Sequence, residues 1–245
     1  MQLSVKYGSQ QIDFEVGYSD RKTLAISVYP DLRIEVKAPE SAKPKQIEEK
    51  VKKKAPWIIR QLDYFESFLP RTPERNYVSG ETHKYLGKQY QLKVVLDDDE
   101  SVKLQTGYIL VRGYDTSAIR VRQLLTRWYY NHAKRKIEER YQAILPSFKK
   151  YGLEPKEIRF KRMETRWGSC NVKQAIVLNP ELIKAPVRCI DYVITHELCH
   201  VKHNNHGAKF YQMLGIMMPD WQKWKQRLEL DMVWILSFNL KIMLL

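Results

Sequence analysis

Apolar and polar residues alternate at period two over Leu24–Tyr29 and again over Leu32–Lys37, on either side of Pro30-Asp31. That pattern predicts a β-hairpin with one wet face, inside a stretch (residues 1 to about 40) that reads as strands throughout. Pro39 and Pro44 break the alternation. From near Lys45 the spacing turns helical, with Ile47, Val51, Ile58, Ile59, Leu62 and Phe65 on the apolar side, and Pro56 predicts a kink or a restart. Strand patterning returns between Tyr77 and Arg112, in Tyr85-Leu-Gly, Tyr90–Leu96 and Tyr108–Val111. These runs are separated by the acidic stretch Asp97–Glu100 and by Gly107. The acidic stretch reads as a turn, since it lacks the ligand spacing of a calcium loop. A long helix runs from about Asp115 to Lys150, with Ile119, Leu124, Leu125, Trp128 and Ile137 as its buried stripe and Pro146 weakening or ending it. Ile158-Arg-Phe160 and Ala175–Leu178 read as two more strands ahead of a last apolar-sided helix.

Composition narrows the picture. A chain of 245 residues allows one integrated domain or two small ones. With 44% hydrophobic and 29% charged residues it has the balance of a soluble globular protein rather than a disordered one. The net charge of +14 favours anionic company, nucleic acid or nucleotides included. Residues 120–170 concentrate that charge, with 14 Lys and Arg against 5 acids, and interleave Trp128, Tyr129, Tyr130 and Tyr141 with it. A nucleic-acid strand would suit such a face, although aromatics at helical spacing also suit a core. Cys170, Cys189 and Cys199 make no CxxC pair, which points to a reducing, cytoplasmic setting. No signal-peptide core is visible at the N-terminus, and no apolar run reaches the roughly 18 residues of a spanning helix. The nearest, Met232–Leu245, is interrupted by Asn239 and Lys241. It reads as a packed or frayed tail, with membrane attachment as the alternative.

The chemistry gathers in one place. Of six histidines, four lie within eleven residues, in His196-Glu-Leu-Cys-His200 continuing into Val-Lys-His203-Asn-Asn-His206-Gly207. His196, Glu197 and His200 make an HExxH pattern. On a helix the two imidazoles share a face and reach one metal ion, while Glu197 is placed to take a proton from water at that ion. Val187, Ile190, Ile194, Leu198 and Val201 give the helix a buried side. A catalytic zinc site needs a third protein ligand and an open position. His203 would stack on the same face, but three ligands in line span about 10 Å of helix axis, too long for a tetrahedral site. Asn204-Asn205 and Gly207 end helices, and a turn there brings His206 back to the metal. His206 is therefore the favoured third ligand, with His203 beside it or in contact with substrate. The spacing equals that of the metzincin pattern, except that His203 stands where that pattern has glycine.

Further stretches carry a resemblance. Arg166-Trp-Gly-Ser-Cys170, Val177-Leu-Asn-Pro-Glu-Leu-Ile183, Ala185-Pro186, Ile190-Asp-Tyr-Val193, Asn205-His206, Phe210 and Pro219-Asp-Trp221 resemble the YgjP-like metallopeptidase family, related to SprT-like and other zincin-fold proteases. Arg21–Val28, Ala55-Pro-Trp57, Ser79-Gly80 and Tyr85-Leu-Gly87 extend the likeness to roughly residues 10–230. The resemblance implies an α+β fold with a zincin-like core, an HExxH helix packed on a small sheet, preceded by a β-rich region. It implies a zinc (Zn2+) hydrolase acting on protein or peptide, with His196, His200 and His206 on the metal and Glu197 as general base. Candidates for substrate or oxyanion contact are His203, Tyr211 and Arg166. Ala175–Leu178 is a candidate edge strand for pairing with an extended peptide. The expected organisation is a β-rich region 1–112 with one helix, a hydrolase region 113–231 and an apolar tail 232–245. Two rival readings remain: a metal-dependent nucleotide phosphoanhydride hydrolase, and a DNA-binding module with a structural metal.

Overall fold

The computed structural model describes residues 1–29, 31–66, 75–163, 166–236 and 242–244. It divides into two compact units, residues 1–72 with 233–245, and residues 73–232. The expected boundary after residue 112 differs from this division, because the strands between 82 and 113 belong with the long helix that comes after them.

In the first unit, β1 (Gln2–Tyr7), β2 (Gln10–Ser19), β3 (Ala25–Val28) and β4 (Ile34–Pro39) form a sheet in the order β1-β2-β4-β3. The hairpin is present, with β3 antiparallel to β4 and Ile26 opposite Val36; Pro30 at its turn lies outside the described residues. Period-two alternation turns Ile12, Phe14, Val16, Ile34, Val36 and Ala38 inward. The helix α1 (Pro44–Glu66) covers that face with Ile47, Val51, Ala55, Ile58 and Phe65. It runs through Pro56 without stopping. Pro56 lies on the exposed face, where water can take the carbonyl its missing N–H would have bonded, while Ala55 and Ile58 hold the helix down. Of the apolar tail, Met232–Leu236 closes the last helix and Ile242–Leu244 lies antiparallel to β3. Residues 237–241 and Leu245 lie outside the described residues.

The second unit starts with β5 (Thr82–Tyr85), β6 (Lys88–Leu96), β7 (Ser101–Gln105) and β8 (Tyr108–Gly113), ordered β5-β6-β8-β7. The acidic stretch is the turn between β6 and β7, as its composition indicates. Helix α2 (Ala118–Lys149) begins at Ser117, whose hydroxyl accepts a hydrogen bond from the Arg120 N–H. Leu124, Leu125, Trp128 and Ile137 are buried, but Ile119 is 73% exposed, since it falls in the first turn before the helix meets the core. Pro146, on the solvent side, does not end the helix, because Leu145 and Phe148 anchor its last turn. Trp128, Tyr129 and Tyr141 are buried, so three of the four aromatics interleaved with the charge serve the core. Tyr130, 44% exposed, is the one of the four that stays at the surface beside that charge.

The remaining elements of this unit carry the site. β9 (Glu157–Phe160), β10 (Gly168–Cys170) and β11 (Ala175–Leu178) form a small sheet ordered β10-β11-β9. A 3-10 turn at Pro180–Lys184 leads into α3 (Val187–His200), then α4 (Ala208–Met217) and α5 (Trp221–Leu236). β11 is antiparallel to β10 and parallel to β9, so it is the central strand. Ala175–Leu178 therefore cannot be the peptide-pairing edge, because both of its hydrogen-bonding sides are taken. The edge next to α3 is β10. The fold is α+β, with α3 packed on this sheet. Among the described residues no helix is long and apolar enough to cross a membrane.

Candidate metal centre

Helix α3 is buried on almost every side, including Cys189, Ile190, Tyr192, Val193, Ile194, Leu198 and Cys199. Its N-terminal end is pinned from outside. Gly87, at positive φ in the β5–β6 turn, lies so close to Pro186 that a Cβ would come within 2.8 Å of the proline ring, and the Gly87 N–H bonds the Lys184 carbonyl. Arg140 of α2 donates Nε and Nη2 to the two Asp191 oxygens at 2.7 and 3.0 Å, and Arg188 adds a longer contact at 3.5 Å. Arg188 also reaches Asp220, which accepts the Trp224 indole N–H at 2.6 Å. The buried Asp191 thus ties α2 and α3 into one frame.

At the other end, α3 unwinds after His200. The His203 N–H still bonds the Cys199 carbonyl, and Gly207 opens α4. The turn between them returns His206 to the helix face. His196 and His206 have their Nε2 atoms 3.0 Å apart, and they lie 3.2 and 3.1 Å, respectively, from Nε2 of His200. Metal–nitrogen bonds of about 2.0–2.1 Å in a tetrahedron place ligand atoms roughly 3.3–3.4 Å apart, so the observed triangle has the size a zinc-like ion would hold. His200 Nδ1 lies 2.8 Å from the His203 carbonyl; donation there leaves Nε2 with its lone pair toward the centre. Phe210, almost wholly buried, lies under all three imidazoles at ring distances of 4.6–5.0 Å. Burial first, then the neighbouring histidines and Lys225, push His196 down to about 3; burial also lowers His206. Both are thus neutral, the form that can bind a metal.

Glu197 is 5% exposed, and its Oε2 is buried with no hydrogen-bond partner among the described residues. Burial pushes its carboxyl up to about 8, against the weaker pull of the Arg166 guanidinium. Arg166 offsets that burial only in part, and a cation held by the three imidazoles would further favour the ionised carboxylate. Gly168 on β10 explains how Glu197 is held, since a Cβ there would fall 2.6 Å from its Oε1 and 2.7 Å from its Cγ. The donor set and the cradle therefore fit a divalent metal. The structure brings together the Nε2 atoms of His196, His200 and His206, carries Glu197 on the same helix directly after His196, places Arg166 within electrostatic reach of Glu197, and lays the Tyr211 ring against His206 at 6.2 Å. His203 contributes its main-chain carbonyl.

Several supporting residues carry no motif signal of their own. Asn179, fully buried, donates Nδ2 to the Met163 and Arg166 carbonyls and accepts from the Glu181 N–H, fixing the loop that leads into β10. Asn179 and Gly168 fall inside the stretches that carry the family resemblance, but spacing does not reveal their contacts. Arg140 lies too far from Asp191 in sequence to pair by inspection.

The family profile described as YgjP-like, metallopeptidase domain, matches residues 22–230. No curated protein matches the chain. Among solved structures, the metallopeptidase zymogen abylysin of Pyrococcus abyssi is similar over 38% of this chain and 91% of its own, at 17% identity and a TM-score of 0.34. The metallopeptidase zymogen jannalysin of Methanocaldococcus jannaschii is similar over 38% of this chain and 92% of its own, at 26% identity and a TM-score of 0.33.

Proposed function

This chain belongs to the YgjP-like metallopeptidase family, and we propose that it is a zinc peptidase with His196, His200 and His206 on the metal and Glu197 as general base. Membership makes it a metal-dependent hydrolase; the metal's identity and the residue roles are our reading. The observation that carries them is the convergence of three Nε2 atoms beside the helix that also carries the buried Glu197, whose Oε2 has no hydrogen-bond partner among the described residues. Zinc bound there supplies Lewis acidity, polarising the scissile carbonyl and lowering the pKa of water toward about 7. Glu197 takes the proton from the attacking water and returns it to the departing amine, so the carboxylate is regenerated each cycle. Burial holds His196 and His206 below the usual imidazole range, which favours the neutral form whose lone pair can bind the metal. Arg166 and Tyr211 are the candidates for holding charge that develops on the carbonyl oxygen.

The substrate strand pairs with the free edge of β10. Glu197 packs against the face of β10 at Gly168, so an extended peptide added to this strand would run alongside the helix that carries the base. The three cysteines are free of disulfides, which supports a cytoplasmic setting. The test is hydrolysis of an unstructured protein and a peptide library by the zinc-loaded chain, with Glu197→Gln as control. Cleavage that requires zinc and Glu197 is expected. Release of phosphate from nucleotides with peptides left intact would overturn the reading.

A further inference from the structure

Beside the imidazoles the ring faces of Tyr211 and Trp221 form a second arrangement, which the hydrolytic chemistry, drawing at most on the Tyr211 hydroxyl, does not use. Tyr211 of α4 is 44% exposed and stacks on His206 at an interplanar angle of 30°. Its ring also stacks on Trp221, the first residue of α5, with centroids 5.4 Å apart and an angle of 23°. Trp221 is itself only half-buried. The contrast with Phe210, one position away, is informative. Phe210 braces the three histidines from within the core, edge-on to Tyr211 at 88°. Tyr211 and Trp221 instead form a row of near-parallel rings that leads outward from His206 and keeps part of its surface in water. Joining α4 to α5 would be served as well by buried side chains. Leaving flat apolar surface wet next to a reactive centre costs solvation that a ligand ring can recover.

We infer that Tyr211 and Trp221 form a substrate subsite that takes an aromatic or large apolar side chain one to three residues from the scissile bond. An extended peptide advances about 3.3 Å per residue, so a chain centred at the metal passes the Tyr211 ring within one or two residues and Trp221 shortly after. Lys225, one turn beyond Trp221 on α5, pairs with Glu229 at 3.6 Å and adds positive charge near the row. A basic side chain would meet that ammonium and lacks the flat apolar surface the rings match, so it is disfavoured in this place. The inference rests on the peptidase reading and adds a selectivity to it.

Binding, rather than turnover, tests it. The full-length zinc-loaded Glu197→Gln protein is titrated by fluorescence anisotropy with labelled octapeptides that differ only by Phe, Leu, Ala or Lys at one scanned position. At one position Phe should bind about tenfold tighter than Ala, with Lys weakest. Trp221→Ala should abolish the preference, whereas Trp221→Phe, which retains a flat ring, should keep most of it. Trp221→Leu covers the case in which the alanine variant does not fold. A purely structural role for Trp221 would lower the melting temperature of these variants and weaken all peptides alike. An unchanged Phe-to-Ala ratio in Trp221→Ala or Trp221→Leu, or no peptide binding at all, overturns the inference. If the preference holds but wild type leaves the bound peptides uncut, the subsite stands and the peptidase reading falls.

Discussion

Helix α3 buries two carboxylates, Asp191 near its start and Glu197 near its end, and treats them in opposite ways. Asp191 is 3% exposed and receives a two-pronged grip from Arg140, with Arg188 nearby. Glu197 is 5% exposed and has an oxygen with no hydrogen-bond partner among the described residues. A buried charge normally needs a neutralising neighbour, because its desolvation costs several kcal/mol. The first carboxylate obeys that rule and fastens two helices; the second breaks it and sits beside three convergent imidazoles. The contrast supports the proposed division of labour, in which Glu197 is the reactive group and Asp191 supplies rigidity.

Exchanging the two carboxylates for amides should separate those roles. Glu197→Gln should lower kcat/KM for peptide by about 10²–10⁴ while zinc is retained, as measured by steady-state kinetics beside metal analysis. Asp191→Asn should leave kcat/KM of the loaded enzyme within about threefold. It should instead lower stability by about 2 kcal/mol, discounted because the Arg140 side chain is 28% exposed, and denaturant unfolding reads that loss. Equal effects of the two changes on activity would dissolve the contrast.

The contrast sharpens with pH in the chelated protein. The folded pKa of Glu197, about 8, lies above its ordinary 4.5, so the folded state favours the neutral acid. The stability this group contributes is present below 4.5 and is lost as pH rises toward and through 8. Glu197→Gln, which cannot ionise, should melt with metal-free wild type at pH 4. It should exceed it by on the order of a few kcal/mol at pH 9. A constant difference across that range would mean Glu197 is not buried as described.

Smaller effects probe how Glu197 and His200 are held. Gly168→Ala inserts a methyl group where the Glu197 side chain lies 2.6 Å away, and should cost about 10–100-fold in kcat with zinc still bound. His203→Ala should change zinc affinity least, within about threefold. The bond to His200 Nδ1 comes from the main-chain carbonyl, which alanine retains. A large loss of zinc in that variant would give the His203 side chain a part that its main chain does not explain.

Periodicity made the elements around the site legible, and the HExxH spacing singled out His196, His200 and Glu197, the proposed ligands and base. The turn signalled by Asn204-Asn205 and Gly207 brought in His206. What stayed hidden depends on partners distant in sequence. β11 carries the strongest strand pattern of its sheet because it is central and buried, and for that reason it is not the open edge. β10 is three residues long and has no periodicity to read, yet its Gly168 adjoins Glu197. Strand β7 is mostly exposed and therefore lacks the alternation that a half-buried strand shows. Pro56 and Pro146 look like helix breakers until their solvent-facing positions are known. The Arg140–Asp191 grip joins residues that no local pattern connects.

The central claim is that three imidazoles, the last brought back by the turn after α3, hold one divalent ion. The most direct measurement is zinc stoichiometry and affinity for wild type and His206→Ala, by elemental analysis and competition with a chromophoric chelator. One zinc per chain is expected, bound at least about a hundredfold more weakly in His206→Ala, with the folded structure retained at low temperature. A wild type that takes up no metal when zinc is supplied, or a His206→Ala variant that binds it as tightly, would contradict the account.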